Sequence, residues 1–234
     1  MEELPGYINV LFELTVFVTI GWFYVATNSR GFLIVAIVWI VIQSILGQSG
    51  VYQDTGTLPP KIMLFGVFPM LVLIAVMFLT PKGKAFIDRI DLKTLTYFHF
   101  VRVPVEVVLF LLFQQGAVSV YMTFEGTNFD MLSGITAPIV AYFAFKNGAV
   151  NKKLLMGWNI VCLLLLFNVV VTAVFALPSP FQKLAFEQPN IAVLFFPFNL
   201  LPTVVVPMVL FGHLVAFRKL VKGEINGKSK GRGN

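Results

Sequence analysis

The chain has 234 residues, of which 58% are hydrophobic and only 12% are charged, and its formal net charge is +6. Soluble domains carry about 25% charged residues, so this composition excludes an ordinary soluble domain and indicates a protein whose surface contacts the lipid bilayer. The basic excess lies mainly in short connecting segments and at the C-terminus, which is a membrane-topology pattern. It gives no indication of a nucleic-acid partner.

The start of the chain and its single cysteine add two constraints. Glu2 and Glu3 precede the first apolar run, where a cleavable signal peptide would carry basic residues, and no small-residue cleavage site follows. We therefore expect the first run to remain in the mature protein. Cys162 is the only cysteine, which excludes an intrachain disulfide, and its apolar surroundings favour a buried structural thiol.

Seven apolar runs follow one another along the chain, each long enough to cross a bilayer as a helix, which takes about 20 residues. They cover residues 4–26, 31–47, 60–80, 94–115, 130–146, 153–177 and 190–217. The sequence therefore predicts an all-α polytopic membrane protein, with one bundle of seven transmembrane helices in residues 1–222. Residues 223–234 are rich in glycine, lysine and asparagine, which predicts a basic, disordered cytoplasmic tail.

The basic residues of the connecting segments predict the orientation of the bundle. With the C-terminus placed inside, fourteen lysine and arginine residues fall on the inner side and only Lys61 and Lys183 on the outer side. This asymmetry predicts an external N-terminus and a cytoplasmic C-terminus. The length and topology suit a plasma membrane such as a bacterial inner membrane. The inner residues are Arg30, Lys82, Lys84, Arg89, Lys93, Lys146, Lys152, Lys153, Arg218, Lys219, Lys222, Lys228, Lys230 and Arg232.

The inner segment 81–93 has two interpretations. Phe86, Ile87 and Ile90 recur at near-helical spacing among charged residues, which is typical of a short amphipathic helix on the inner leaflet. A solvated loop with the same composition is the alternative, and the sequence leaves both open.

The fifth and seventh runs carry different packing signals. Ser133, Ala137 and Ala141 recur at intervals of four in the fifth run, and small residues at that spacing let two helix backbones approach closely. We therefore expect the fifth helix to be central in the bundle.

The seventh run contains Pro197, Pro202 and Pro207, with Asn199 between the first two. Proline removes a backbone donor, and the carbonyl groups it frees at membrane depth must be buried in protein or line a wet cavity. This run is therefore predicted to be irregular. Asn199 is a candidate binding residue there, although kinks absorbed by packing would give the same pattern.

The fourth run carries the clearest candidate site. His99 and Glu106 flank Arg102, three residues before and four residues after it, on one helix face. By helix rise, Arg102 lies about 14 Å from the inner end of the run, near the bilayer midplane. Glu13, in the first run, is at a similar depth and would join the cluster if the first and fourth helices are neighbours.

This cluster would contain two carboxylates and one guanidinium. One interpretation is a structural ion pair that locks the helices together, with the second carboxylate protonated, hydrogen-bonded or exposed to a cavity. The other is a functional site that uses the excess negative charge to hold a proton, a cation or the polar part of a ligand.

The two histidines, His99 and His213, lie at similar depths near the inner side by the same count. They are candidates for binding a metal or haem, but a zinc site needs three or four ligands and each ring would be equally satisfied by a backbone carbonyl. The sequence therefore names no cofactor. Near the outer side, Asn128 or Asp130 is expected to cap the fifth helix.

Three functions remain open. The leading hypothesis is a membrane protein that binds or transports a small molecule or ion through Glu13, His99, Arg102, Glu106 and Asn199. The second is a membrane-embedded enzyme acting on a lipid or quinone, with His99 and Glu106 as acid–base groups. The third is a structural subunit of a membrane complex. The substrate and the oligomeric state are not specified by the sequence.

Overall fold

The computed structural model describes residues 4–146 and 150–223, and these residues form helices and connecting segments with no β-strand. The α-helices are α1 Gly6–Thr27, α2 Arg30–Gln48, α3 Phe68–Leu79, α4 Pro81–Arg89, α5 Leu92–Phe98, α6 Arg102–Gln114, α7 Met131–Ala144, α8 Lys152–Ala176 and α9 Val206–Lys222. Two π-helical segments, Met63–Val67 and Leu201–Val205, lead directly into α3 and α9. The predicted all-helical class is confirmed.

Five helical stretches are long and apolar enough to cross a membrane. They are Gly6–Thr27, Arg30–Gln48, Leu92–Gln114, Lys152–Ala176 and Leu201–Lys222. A sixth is present if Met63–Leu79 and Pro81–Arg89, which are bent by 89° at their junction, count as one span. The chain is therefore compatible with a helical membrane protein. The predicted tail lies, apart from Gly223, outside the described residues.

Two predicted spans differ in length from the observed helices. The helix of the seventh predicted span begins at Leu201 rather than at residue 190, because Pro197 lacks a backbone donor and disfavours helical geometry in the residue before it. Pro202 lies in the first turn of that helix, where a missing N–H is tolerated. The fifth is represented by α7, which has only 14 residues. The residues before α7 fold into the bundle instead of extending the helix.

The small-residue stripe of the fifth run behaves as predicted. Ser133, Ala137 and Ala141 are all buried, and α7 packs against α5, α6 and α8. Gly134 lies on the same side, where an added Cβ would come within 2.8 Å of the Val103 side chain. The backbone of α7 thus approaches the fourth span closely, and α7 is central in the bundle.

Helix α2 holds the two proline-interrupted segments together through polar contacts. Pro69 has no N–H, so the carbonyl of Phe65, four residues earlier, loses its usual helical donor; it accepts a hydrogen bond from Nε2 of Gln43 at 3.1 Å instead. Pro207 frees the carbonyl of Thr203 in the same way, and Nε1 of Trp39 donates to it at 2.9 Å. Two side chains one turn apart on α2 thus satisfy one carbonyl in each broken helix.

The same face of α2 contacts the irregular region before α9. Gln43 and Gly47 are the only fully buried residues of α2. Nδ2 of Asn199 donates to the backbone carbonyl of Gln43 at 2.8 Å, and an added Cβ on Gly47 would come within 2.6 Å of the Asn199 amide oxygen. The buried hydroxyl of Tyr52 donates to Oε1 of Gln43 at 2.5 Å.

The segment 81–93 is helical, which supports the first of its two interpretations. Ile87 and Ile90 are buried, while charged residues face outward. Asp88 of α4 accepts two hydrogen bonds from Arg218 of α9, at 3.0 and 3.1 Å, and one from Lys222 at 3.3 Å. Burial alone would raise the pKa of Asp88, but these cations outweigh it and leave the pKa below its usual value.

We expect Gln43→Leu to destabilise the fold. It leaves the Phe65 carbonyl and the Tyr52 hydroxyl without partners, and each buried orphan costs about 1–3 kcal/mol. Thermal unfolding in detergent, followed by tryptophan fluorescence, should show a midpoint several degrees below that of the wild type. The matched control is Gln48→Leu at the exposed end of the same helix, and equal midpoints for the two variants would contradict the bracing role.

The Asp88 contacts predict a pH dependence of stability. Because the folded-state pKa of Asp88 is below the unfolded value of about 3.9, its contribution is complete above that value and is lost as the pH falls through the folded-state pKa. Asp88→Asn should therefore lower the unfolding midpoint at neutral pH, and the difference from wild type should shrink in acid. Asp54→Asn, which removes an exposed pair with Lys61, should change little at either pH. A constant Asp88→Asn difference across the titration would contradict this account.

Candidate functional site

Arg102 is placed in the bundle by a break in the fourth span. The helix tightens into a 3₁₀ turn over His99–Val101, and α6 begins at Arg102 itself. The guanidinium is almost entirely buried, with 3% of the side chain exposed. A buried guanidinium requires partners for its charge and for its five N–H groups, and they come from three other helices.

The charge partner of Arg102 is Asp130. Nη2 of Arg102 lies 2.8 Å from Oδ1 of Asp130, whose side chain is 7% exposed. Asp130 immediately precedes α7 but makes no side-chain capping hydrogen bond there. The expected capping by Asp130 is therefore replaced by an ion pair, and α7 begins at the level of Arg102 inside the bundle.

His213 of α9 is the second partner. Its Nε2 lies 3.3 Å from Nη1 of Arg102, and its Nδ1 lies 2.8 Å from the amide oxygen of Asn159 in α8. A guanidinium nitrogen can only donate, so Nε2 accepts and the ring proton resides on Nδ1, which donates to Asn159. This arrangement assigns His213 to the neutral form. Nη2 of Arg102 also donates to the backbone carbonyl of Cys162, at 3.4 Å.

His99 stacks on His213. The ring centroids are 4.0 Å apart and the planes differ by 21°, while Trp158 contacts the edge of His99 at a centroid distance of 5.5 Å. The sequence placed the two histidines at one depth, and the structure brings their rings into contact. Nδ1 of His99 has no hydrogen-bond partner among the described residues.

Glu106 lies one turn beyond Arg102 and has a separate partner. Nδ2 of Asn128 donates to Oε1 of Glu106 at 2.7 Å and also to the backbone carbonyl of Met122 at 2.9 Å. The other carboxylate oxygen, Oε2, is buried and has no hydrogen-bond partner within the described residues. An unpartnered buried carboxylate oxygen is costly, so this atom marks a point where the bundle offers an unused acceptor.

Arg102, Glu106 and Asp130 line one end of a cavity of about 270 Å³. The other lining residues are apolar or proline. They come from the start of the third span, α6, Met122 in the segment before α7, the C-terminal half of α8, the irregular segment before α9 and the first turns of α9. Phe68 of α3 and Val170 of α8 also line the cavity and are 42% and 36% exposed, so part of the cavity lining reaches the surface of the bundle.

The predicted site residues separate into two networks and one isolated carboxylate. His99, Arg102 and Glu106 belong to the group just described, whereas Asn199 contacts α2. Helix α1 packs on α5 and α6, so the first and fourth spans are neighbours as required. Glu13 is nevertheless only half-buried, and it forms no hydrogen bond or ion pair with the described residues.

Sequence reasoning missed Asp130 and Asn128 as members of the site. The sequence prediction places both near the outer side, as caps at the start of the fifth run. The available signal was the short length of that run, because its 17 residues are fewer than the roughly 20 that a crossing helix takes.

A metal or haem site receives no support from the histidines. No group of three or more His, Cys, Asp and Glu side chains that could hold a metal occurs within residues 4–146 and 150–223. Both ring nitrogens of His213 are occupied by Arg102 and Asn159. A metal bound by His213 would have to displace one of these contacts.

Comparison with known proteins gives a family but no activity. The family model described as Domain of unknown function (DUF8737) matches residues 59–221, so the chain belongs to this family. No curated protein and no solved structure matches the chain. The matched region contains Arg102, Asp130, His213 and Glu106, whereas α1 and α2 precede it.

Arg102→Met should strongly destabilise the protein, by about 3–5 kcal/mol, because it leaves the buried Asp130 carboxylate without a cation. Combining it with Asp130→Asn removes both charges. The double variant should therefore lose less unfolding free energy than the sum of the losses of the two single variants. Unfolding midpoints of the four proteins measure this coupling. Glu13→Gln is the control for loss of a carboxylate outside the network. Strictly additive losses would mean that the ion pair does not hold these helices together.

Proposed function

We propose that this member of the DUF8737 family binds a small, largely apolar molecule inside the bundle, with the polar end of the molecule at Arg102, Glu106 and Asp130. The observation that carries the proposal is the cavity of about 270 Å³, apolar along its length and charged at one end. Ligand pockets generally combine an apolar lining with a few polar groups that fix orientation. The volume is just below the usual range of about 300–1,000 Å³, which favours a small ligand.

The free oxygen of Glu106 supports binding over a purely structural role. A structural cluster would have its charged groups fully paired and no cavity beside them. Here Oε2 of Glu106 and Nε of Arg102 are buried without partners among the described residues. One acceptor and one donor are thus unused in residues that line the cavity.

The broken seventh span supports the same function. Leu201 and Pro202, in the π-helical segment before α9, line the cavity. Non-helical backbone at membrane depth is tolerated where it is buried in protein or lines a cavity, and here it does both. Asn199 belongs to this proposal as a residue that positions the irregular segment against α2.

We further propose seven membrane passes, an external N-terminus and a location in the plasma membrane. The contacts between connecting segments support this topology. Asp91 donates to the Ala26 carbonyl, and Asp88 binds Arg218, so three predicted inner segments meet at one end of the bundle. At the other end, the Asn190 side chain accepts from the backbone of Ser119. Helix α7 is short, and in this topology it crosses the membrane together with the segment that precedes it.

An enzyme acting on a lipid or quinone is the second candidate, and the exposure of the lining residues Phe68 and Val170 favours it, because it would give the cavity a lateral opening. An apolar substrate would enter from the bilayer through that opening. The proposed acid–base pair is weaker, because Glu106 lines the cavity but His99 does not. Binding, with or without transport of the bound molecule, accounts for more of the observed contacts.

The test uses 4-phenylbutan-1-ol, which has an apolar body and one hydroxyl, titrated calorimetrically into the detergent-purified full-length protein. We expect a dissociation constant of about 1 mM or tighter for a ligand of this size. Val169→Phe fills the cavity and should abolish binding, whereas Val161→Phe, at an exposed position of the same helix, should leave it unchanged. Equal binding by the two variants would place the probe elsewhere and contradict the proposal.

A native mass spectrum of the wild type, prepared from its own membranes, complements this titration. We expect a reproducible small adduct that Val169→Phe lacks and Val161→Phe retains. An adduct that Val169→Phe retains would contradict the proposal.

A further inference from the structure

Resting on the binding function proposed above, we infer that the cavity holds one positive charge at Glu106, supplied either by a proton or by the amino group of a small apolar amine. The two occupants use the same carboxylate and therefore exclude each other. The ligand class that follows is a lipophilic primary amine in its cationic form.

The inference starts from the count of charges at the polar end of the cavity. Two carboxylates, Glu106 and Asp130, line it together with one guanidinium, Arg102. Arg102 contacts Asp130 directly at 2.8 Å, while Glu106 receives only the neutral amide of Asn128 at 2.7 Å. The end of the cavity therefore has one negative charge more than it has positive charges when both carboxylates are ionised.

The nearby histidines do not supply the missing charge. His213 accepts from Arg102 through Nε2 and is neutral in that arrangement. His99 lies flat against His213 with a centroid separation of 4.0 Å. A protonated His99 would therefore be a second cation close to Arg102 and in contact with the ring that accepts a hydrogen bond from Arg102. Like charges at this separation in a buried site repel strongly.

No other cation faces Glu106 from the described elements that pack around it. Helix α1 contributes Glu13 as its only charged residue and contains no lysine, arginine or histidine. The cavity-lining parts of the third span, of α8 and of the segment 201–209 have no charged residue. The start of α7 adds Asp130, and α8 adds the thiol of Cys162 behind Arg102.

An isolated ionised carboxylate in an apolar cavity is strongly disfavoured by desolvation. A proton on Glu106 removes the charge, and an ammonium group compensates it. One of the three donors of the ammonium group can bond the unpartnered Oε2 of Glu106, with the apolar body of the amine in the rest of the cavity. A carboxylate ligand would instead add a third negative charge beside Glu106 and Asp130.

Three probes with one apolar body separate these cases: 4-phenylbutan-1-amine, 4-phenylbutan-1-ol and 4-phenylbutanoate. Calorimetric titration of the full-length protein at pH 8 should show the amine binding at least tenfold more tightly than the alcohol, and the carboxylate more weakly than both. As the pH is lowered, the amine affinity should fall toward a limiting slope of about tenfold per pH unit, as expected for competition with one proton. The alcohol affinity should stay constant.

Proton release is the direct readout of the exchange. In the range where the amine affinity falls, repeating the titration in buffers of different ionisation enthalpy should show up to one proton released per amine bound. Glu106→Gln should abolish this release and the advantage of the amine over the alcohol, while alcohol binding persists. Glu13→Gln is the matched control and should behave as the wild type, since Glu13 lies outside the cavity lining.

The outcomes distinguish the two proposals. If none of the three probes binds in a manner sensitive to Val169→Phe, the binding function itself is wrong. If the alcohol binds but the amine has no advantage, or if its advantage survives Glu106→Gln, the cavity is a binding site and the assignment of a cation at Glu106 is overturned. Tighter binding of the carboxylate would reverse the inferred sign of the ligand charge.

Discussion

The ion pair between Arg102 and Asp130 is the contact on which the interior of this bundle depends. It joins the fourth span to the start of α7, and the remaining guanidinium contacts reach Cys162 in α8 and His213 in α9. A buried ion pair contributes little net stability when compared with well-packed apolar residues, but loss of one partner is expensive. Its role here is therefore to fix the arrangement of these four elements, because the contacts of Nη1 and Nη2 require all of them to meet at Arg102.

Much of the fold follows from the sequence because membrane helices are specified by composition over long windows. The helical class, the long apolar helices and the central position of α7 all come from patterns of 14 residues or more. The positions of Asp130 and Glu13 could not be predicted in the same way. Each depends on how neighbouring helices are positioned relative to one another. Helix rise gives the depth of a residue along its own span, but it does not give the position of one span relative to the next. Asp130 enters the site because α7 is short, and Glu13 stays outside it although α1 is adjacent.

The prolines illustrate a second limit of sequence reasoning. The pattern predicts that the seventh span is irregular and that freed carbonyls need partners, and both expectations hold. The identity of the partner is a property of the tertiary structure, because Trp39, which donates to the freed carbonyl of Thr203, lies 164 residues before it in the chain. Gln43, on the same face of α2, donates in the same way to the freed carbonyl of Phe65 in the third span. Neither residue is unusual in its own helix. Their significance appears only when both broken helices are packed against the same face of α2.

The attachment of α2 also bears on how this family is delimited. The matched region begins at residue 59, after the two helices that precede the third span. A polypeptide beginning there would keep Pro69 and Pro207 but would lose both side chains that satisfy the carbonyls of Phe65 and Thr203. The boundary of detectable sequence similarity therefore falls inside a cooperative unit of this protein. A family member that has prolines at both of these positions needs other donors for the two carbonyls, either from a preceding helix of its own or from polar side chains in a different part of the chain.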